Sequence, residues 1–322
     1  MKMKKLISMI LALLLVLSMT ACGGSSGSSR LTMGTGGTSG TYYAFGNILA
    51  QYINNSGSVT VIPVSTDGSK ANISYISIGD YHLGFSQSDV MAYAWAGTRS
   101  FEADGAVNSF RVIAGLYAEA VQLVTMDPSI KSVADLAGKR VSIGAPGSGV
   151  YFNAIDVLSA AGLTENDIQA QYQSFADSAD ALKDGKIDAA FIVAGAPTAA
   201  ITELCTTNSA YLVPIDGEIA DKLMAASPFY TLYTIPAGTY NGQTEDVVTV
   251  TVKATLIVSA DADEETVYNL TKAIFDNVAA ITAENGKGAE LSIENATSGM
   301  TAPFHPGAAK YFAEQGVTVP TE

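Results

Sequence analysis

Four short loops rich in glycine, serine and threonine hold most of the chemistry this chain offers: GTGGTSGT (34–41), FSQSD (85–89), GAPGSG (144–149) and VAGAPT (193–198). Each follows a strand-like run and stands before a helical pattern. In that position a loop presents unpaired backbone amides and the positive end of a helix dipole, which together hold an anion. Glycine lets the ligand approach that backbone closely. Two loops fall in the first half of the chain and two in the second, so loops facing one another across a cleft would enclose a small polar ligand. The candidate ligand-binding residues are Gly37, Thr38, Ser39 and Gly40 from the first loop, with Tyr42 in the turn after it. Ser148 and Gly149 would hold the ligand from the other side, with Pro197 and Thr198 shaping the opposite wall. Gln87, Ser88 and Asp89 complete the set, Gln87 and Asp89 as partners for a ligand amine. A plainer use exists for each loop: glycine serves tight turns, and Gln87 or Asp89 serves as a helix cap.

Other chemistries fail letter by letter. A dinucleotide fingerprint needs glycine three residues after Gly36, where Ser39 stands, and a phosphate loop needs a Gly-Lys-Ser/Thr that never comes. Ser148 lacks a required flanking glycine of a hydrolase elbow, because Pro146 occupies that place. An exported serine hydrolase using Ser148 stays open as an alternative, provided a base lies within reach of its hydroxyl. The two histidines, His82 and His305, are not spaced with cysteines or carboxylates as metal ligands would be, so neither a metal nor a cofactor is expected. None of the four arginines, Arg30, Arg99, Arg111 and Arg140, lies in a glycine loop. Anion charge would therefore be met by helix N-termini and hydroxyls rather than by a guanidinium clamp.

The elements that must position these loops read as an α/β protein. VTVIPVST (59–66), HLGFS (82–86) and FRVIAGLY (110–117) are strand-like, separated by the helical patterns TYYAFGNILAQYINN and SDVMAYAWAG. Tyr42, Phe45, Leu49 and Tyr52 share one helical face. RVSIGAPGSG, VYFNAIDVLSAAGL, IQAQYQSF, SADALKDG and IDAAFIVAG repeat the same grammar from 140 onward. Beyond Ser227 the chain turns strand-rich, consistent with a return crossover. DEETVYNLTKAIFDNVAAITAE reads as helical, with an acidic first turn.

The first residues have the layout of an export signal. Lys2, Lys4 and Lys5 precede LISMILALLLVLS, and MTAC ends at Cys22 before the flexible GGSSGSSR. Residues 1–21 are thus expected to be a signal peptide, Cys22 the lipidated first residue of the mature chain, and 22–30 a spacer. Losing the three lysines takes the formal charge from −14 to −17, which argues against nucleic acid as a partner. Only Cys205 then remains, so no internal disulfide is expected.

GTGGTSGTYYAFG, QSDVMAYAW, GAPGSGV, TIPAGTYNGQ and PFHPGAAKYF, in this order behind a lipoprotein-like signal, resemble the TAXI family of solute receptors for tripartite ATP-independent periplasmic (TRAP) transporters. The resemblance implies a type II periplasmic-binding-protein fold, with two α/β lobes joined by crossover strands. Residues 31–118 and 233–322 would form lobe one and 119–232 lobe two. It also implies a lipid-anchored extracytoplasmic receptor that catalyses nothing, binds glutamate, glutamine or a related carboxylate, and delivers it to an integral membrane permease. On the resemblance alone, Tyr233 covers the cleft. A receptor of the same fold that signals to a sensor kinase is the alternative of a different class.

Overall fold

The run FRVIAGLYAEAVQLVT forms one strand of 16 residues, Phe110–Thr125, and nearly all of it is buried. A strand covered on both faces reads as a continuous apolar run rather than an alternating one, which is why its full length looks like a buried core segment in the sequence. Its antiparallel neighbour is the strand Val247–Ser259, in register from Thr251 opposite Ala120 to Ser259 opposite Phe110, with irregularities at Lys253/Thr255 and Leu256/Ile257. These two strands run the length of the molecule and link its two lobes.

The computed structural model describes residues 30–322. In chain order the first lobe contains β1 (Arg30–Gly34), α1 (Thr41–Asn55), β2 (Thr60–Val64), α2 (Ser69–Ser77), β3 (Leu83–Gln87) and α3 (Ser88–Ala96), leading into β4 (Phe110–Thr125). The second lobe contains β5 (Arg140–Ser142), α4 (Val150–Ala160), β6 (Gln169–Gln171), α5 (Phe175–Lys183), β7 (Ala189–Ala194), α6 (Ala199–Thr207), β8 (Tyr211–Val213) and α7 (Gly217–Ala226). Strands β9 (Thr231–Ile235) and β10 (Val247–Ser259) return the chain to the first lobe. There α8 (Glu264–Phe275), α9 (Val278–Glu284), α10 (Ile293–Thr297) and α11 (Pro306–Glu314) complete it.

The sheet order is β2-β1-β3-β10-β4-β7-β5-β6, with β9 on β10 and β8 on β4. Each long strand changes partner midway. Residues 110–120 of β4 pair with β10, and residues 120–125 pair with β7. Residues 254–258 of β10 pair with β3, and residues 247–251 with β9. The boundaries expected at 118/119 and 232/233 thus fall inside β4 and β9.

The core divides in the same way. Met33, Phe45, Leu49, Phe85, Tyr117, Leu256 and Phe312 belong to one buried cluster. Two smaller clusters lie in the second lobe, one around Val141, Leu158, Phe191 and Ile215, the other around Ile192, Leu204 and Tyr240. The helical pattern starting at Asp263 breaks into α8 and α9. Asp276 ends the first helix and Asn277 (φ −113°, ψ 15°) stands at the start of the second, its side chain bonded back to Ala273 O at 2.8 Å, so the helical stretch is divided in two. The export-signal stretch and Cys22 lie outside the described residues. Among the described residues no helix is long and apolar enough to cross a membrane.

Candidate functional site

Three helices open with glycine at the capping position and no side-chain cap: α1 after Gly40, α2 after Gly68 and α4 after Gly149. Polar side chains at that position would satisfy the first amides of the helix themselves. Here no capping side chain takes them, and in α2 one of them, Ala71 N, is taken by a backbone carbonyl of the other lobe. Gly40 and Gly68 come from the first lobe and Gly149 from the second, and all three line one cavity of about 70 Å³ between the lobes. Gly68 sits at φ 105°, ψ −145°, a region open essentially to glycine alone, so that turn cannot carry another residue without strain.

The wall is largely apolar, is set with several polar side chains, and lacks cations. Tyr42, Thr66, Asp67, Ser69, Gln87 and Glu119 face the cavity from the first lobe and the crossover; Ser148, Gln173 and Ser174 face it from the second. No lysine or arginine lines it among the described residues. Three wall atoms are buried without a hydrogen-bond partner: Gln87 Oε1, Ser148 Oγ and Gln173 Oε1. Orphaned buried polar atoms are costly, and three around one cavity point to a polar occupant that supplies their partners. Glu119 is 2 % exposed, and Tyr42 donates its hydroxyl to Glu119 Oε2 at 2.6 Å. Burial, assisted by the charge of Asp89 and opposed by the Tyr42 bond and Lys287, pushes the Glu119 carboxyl up to about 8.

The lobes are in contact across this cavity. Ala71 N donates to Gly147 O at 3.1 Å, Ala200 N to Ser39 O at 3.2 Å, and Thr41 Oγ1 to Gly195 O at 2.8 Å. A methyl group on Gly149 would overlap the Gln87 side chain from the opposite lobe. Glycine at 149 is therefore what lets the lobes approach this closely, since its backbone angles (φ −75°, ψ −22°) suit any residue.

Six expected residues stand on the cavity wall: Gly37, Gly40, Tyr42, Gln87, Ser148 and Gly149. The other seven are elsewhere. Thr38 is exposed, and Ser39 contributes its carbonyl to the lobe contact. Ser88 is buried, with Oγ accepting from Lys253 N at 3.3 Å. Asp89 is fully buried behind the wall. It accepts from Asn153 Nδ2 at 2.9 Å, and desolvation raises its carboxyl to about 6. Asn153 also accepts from Gln87 Nε2 at 3.0 Å and donates to Tyr230 at 2.9 Å. Tyr230 donates to Asp156, which is paired with Arg99 at 2.7 Å. Asp89 thus belongs to a polar network that ties α3 to α4 across the lobes.

From the fourth loop it is Val193 and Ala194, not Pro197 and Thr198, that reach the cavity. Pro197 is exposed beside an outer groove. Thr198 is buried beneath the loop, where its amide donates to Tyr240 OH at 2.9 Å and Gln122 Nε2 donates to its hydroxyl at 2.9 Å. Tyr233 lies off the wall with the Lys287 ammonium 5.8 Å from its ring centre.

The wall residues missed in the sequence had signals of their own. TDGS (66–69) repeats the strand-glycine-helix grammar but follows a strand read two residues too long. Glu119 is the one acid in a mostly apolar strand, the kind of buried charge that demands an explanation. The histidines are used elsewhere. His82 Nδ1 accepts from Thr32 N at 3.1 Å, and His305 caps α11 by accepting from Gly307 N at 3.2 Å. Arg111 donates to the carbonyls of Asn108 and Phe110 and lies over the Trp95 ring, away from the wall.

Solved structures share this architecture at low sequence identity. The alkanesulfonate-binding protein SsuA from Xanthomonas axonopodis pv. citri, bound to MOPS, is 18 % identical with a TM-score of 0.52, over 90 % of this chain and 85 % of that one. A protein from Bordetella bronchiseptica is 17 % identical with a TM-score of 0.55, over 89 % of each chain. PhnD1 from Prochlorococcus marinus, in complex with methylphosphonate, is 14 % identical with a TM-score of 0.51, over 77 % of this chain and 84 % of that one. These likenesses show the type II periplasmic-binding-protein fold. The model of the NMT1-like family matches residues 33–316, and the chain belongs to that family.

Proposed function

We propose that this protein is an extracytoplasmic solute receptor that closes its two lobes over a small organic anion and hands it to a membrane permease. One observation carries the reading: three uncapped, glycine-led helix N-termini from both lobes converge on one cavity between the lobes with no basic residue on its wall. The amides and dipoles of such termini hold negative charge where no side-chain cation does. A cavity of about 70 Å³ between the lobes suits a small ligand.

The two neighbours whose ligands are stated hold a sulfonate and a phosphonate, both small anions. The TAXI resemblance narrows the ligand to glutamate, glutamine or a related carboxylate and the permease to the TRAP type, with Cys22 as the lipid anchor. Ser148 gives no support to hydrolysis, because its hydroxyl has no hydrogen-bond partner and both histidines are engaged elsewhere.

A melting-shift screen of amino acids and mono- and dicarboxylic acids tests the reading. A true ligand at a hundredfold excess over its Kd adds about 2.7 kcal/mol to folded stability. Silence across the whole set would overturn the anion-receptor assignment.

A further inference from the structure

We propose that Glu119 is the residue by which this receptor tells a ligand bearing an ammonium group from its deaminated analogue, and that the incoming ammonium displaces the Glu119 proton into solvent. The inference rests on the receptor reading and deepens it. Glu119 sits on β4 where that strand passes between the lobes, with its carboxyl on the cavity wall. Tyr42 occupies Oε2, and Oε1 has no hydrogen-bond partner among the described residues. No cation faces it closely enough to pair: Lys287 donates to Glu290 at 2.8 Å, and the remaining charged or titratable neighbours, Asp89, Asp67, Tyr42 and Tyr117, are acids or phenols.

A buried carboxylate without a counter-ion is costly, so in the empty cavity Glu119 keeps its proton. Its raised titration agrees with that placement. An ammonium at the same spot reverses the balance. The Glu119 O–H bond breaks, its electrons stay on the carboxylate, the proton leaves to solvent, and the ion pair remains. The orphaned Gln87 Oε1 and Gln173 Oε1 accept hydrogen bonds only, and so also call for N–H donors on the ligand. The glycine-led helix N-termini supply donors for its carboxylate. A wall that offers acceptors as well as donors fits a zwitterion rather than a plain dicarboxylate.

The test is titration calorimetry of the intact protein with the best-stabilising amino acid from the screen and with its deaminated acid, in phosphate and in Tris at pH 6.5. The expected result is release of close to one proton for the amino acid, with affinity rising about tenfold per pH unit from 6 to 7. The deaminated acid should bind at least tenfold more weakly, without that proton. Glu119→Gln should keep its fold by circular dichroism, lose the proton release, and bind the amino acid at least tenfold more weakly while changing the deaminated acid little. Tyr42→Phe removes a bond that favours the carboxylate, so the pH dependence should move upward while binding persists.

Amino-acid binding with no buffer-dependent heat, or a Glu119→Gln protein that binds both compounds as the wild type does, would overturn the inference. Deaminated acids binding best would overturn it too and leave the receptor reading standing. Failure of every acid to bind would instead sink the receptor reading itself.

Discussion

At the scale of single residues, the chemistry of this protein depends on how few side chains are charged where charge is expected. Ser148 is the wall hydroxyl with no partner inside the protein. Replacing it with alanine removes one charge-assisted hydrogen bond to a bound anion, and the Kd should rise by about 1.5–3 kcal/mol with the melting temperature of the unliganded protein nearly unchanged. Calorimetry on the variant checks both numbers. Arg111→Gln should leave the Kd as it is, since Arg111 is spent on carbonyls and on Trp95.

Glu119 makes a prediction about folding that stands apart from any ligand. Its folded carboxyl titrates at about 8, above its ordinary value, so the fold favours the protonated form. The stability this gives is complete below about pH 4.5 and drains away as pH rises towards 8, on the order of a few kcal/mol in all. Thermal melts from pH 5 to 8 should show the wild type losing stability relative to Glu119→Gln, and parallel curves would contradict the burial argument. Glu119 was also the residue least legible from the sequence. Its role needs β4 to pass beneath the cavity, and nothing in the local spacing reports where a long strand passes. Gly37, Gly40, Ser148 and Gly149 were legible because a strand-end glycine before a helix states its own geometry.

At the scale of elements, the legible part was the alternation of strands and glycine-led helices, and the illegible part was partnership. Thr198 and Asp89 lie in loops of the right grammar, yet Thr198 is consumed by Tyr240 and Gln122, and Asp89 by Asn153. Which hydroxyl or carboxylate is left free for a ligand depends on residues tens of positions away. The same network gives α3 and α4 a mechanical role: Gln87, Asp89, Asn153, Tyr230, Asp156 and Arg99 tie helices of opposite lobes together. Asn153→Ala cuts three of those hydrogen bonds and leaves buried groups unpaired. It should weaken ligand binding at least tenfold and shift the unliganded protein towards an open form, read as a larger radius of gyration in small-angle scattering. An unchanged radius together with an unchanged Kd would remove the network from the closing mechanism.

At the scale of the whole molecule, two lobes share one sheet, and among the described residues the route between them in the sheet is the pair β4 and β10. A two-strand link is a natural place for the lobes to rock, and under the proposed function the cavity at the seam is where that motion would act. Whether that seam is the ligand site is tested most directly at Gly149, because a side chain there must push aside the Gln87 amide, which Asn153 holds at 3.0 Å, and crowd Val90 before the lobes reach this approach. The direct measurement is native mass spectrometry of the wild type and of Gly149→Val, each incubated with the acid that gave the largest melting shift. The wild type should carry one molecule of that acid per chain, and Gly149→Val, folded by circular dichroism, should carry none. Equal retention of the acid by both proteins would show that it binds somewhere other than between the lobes.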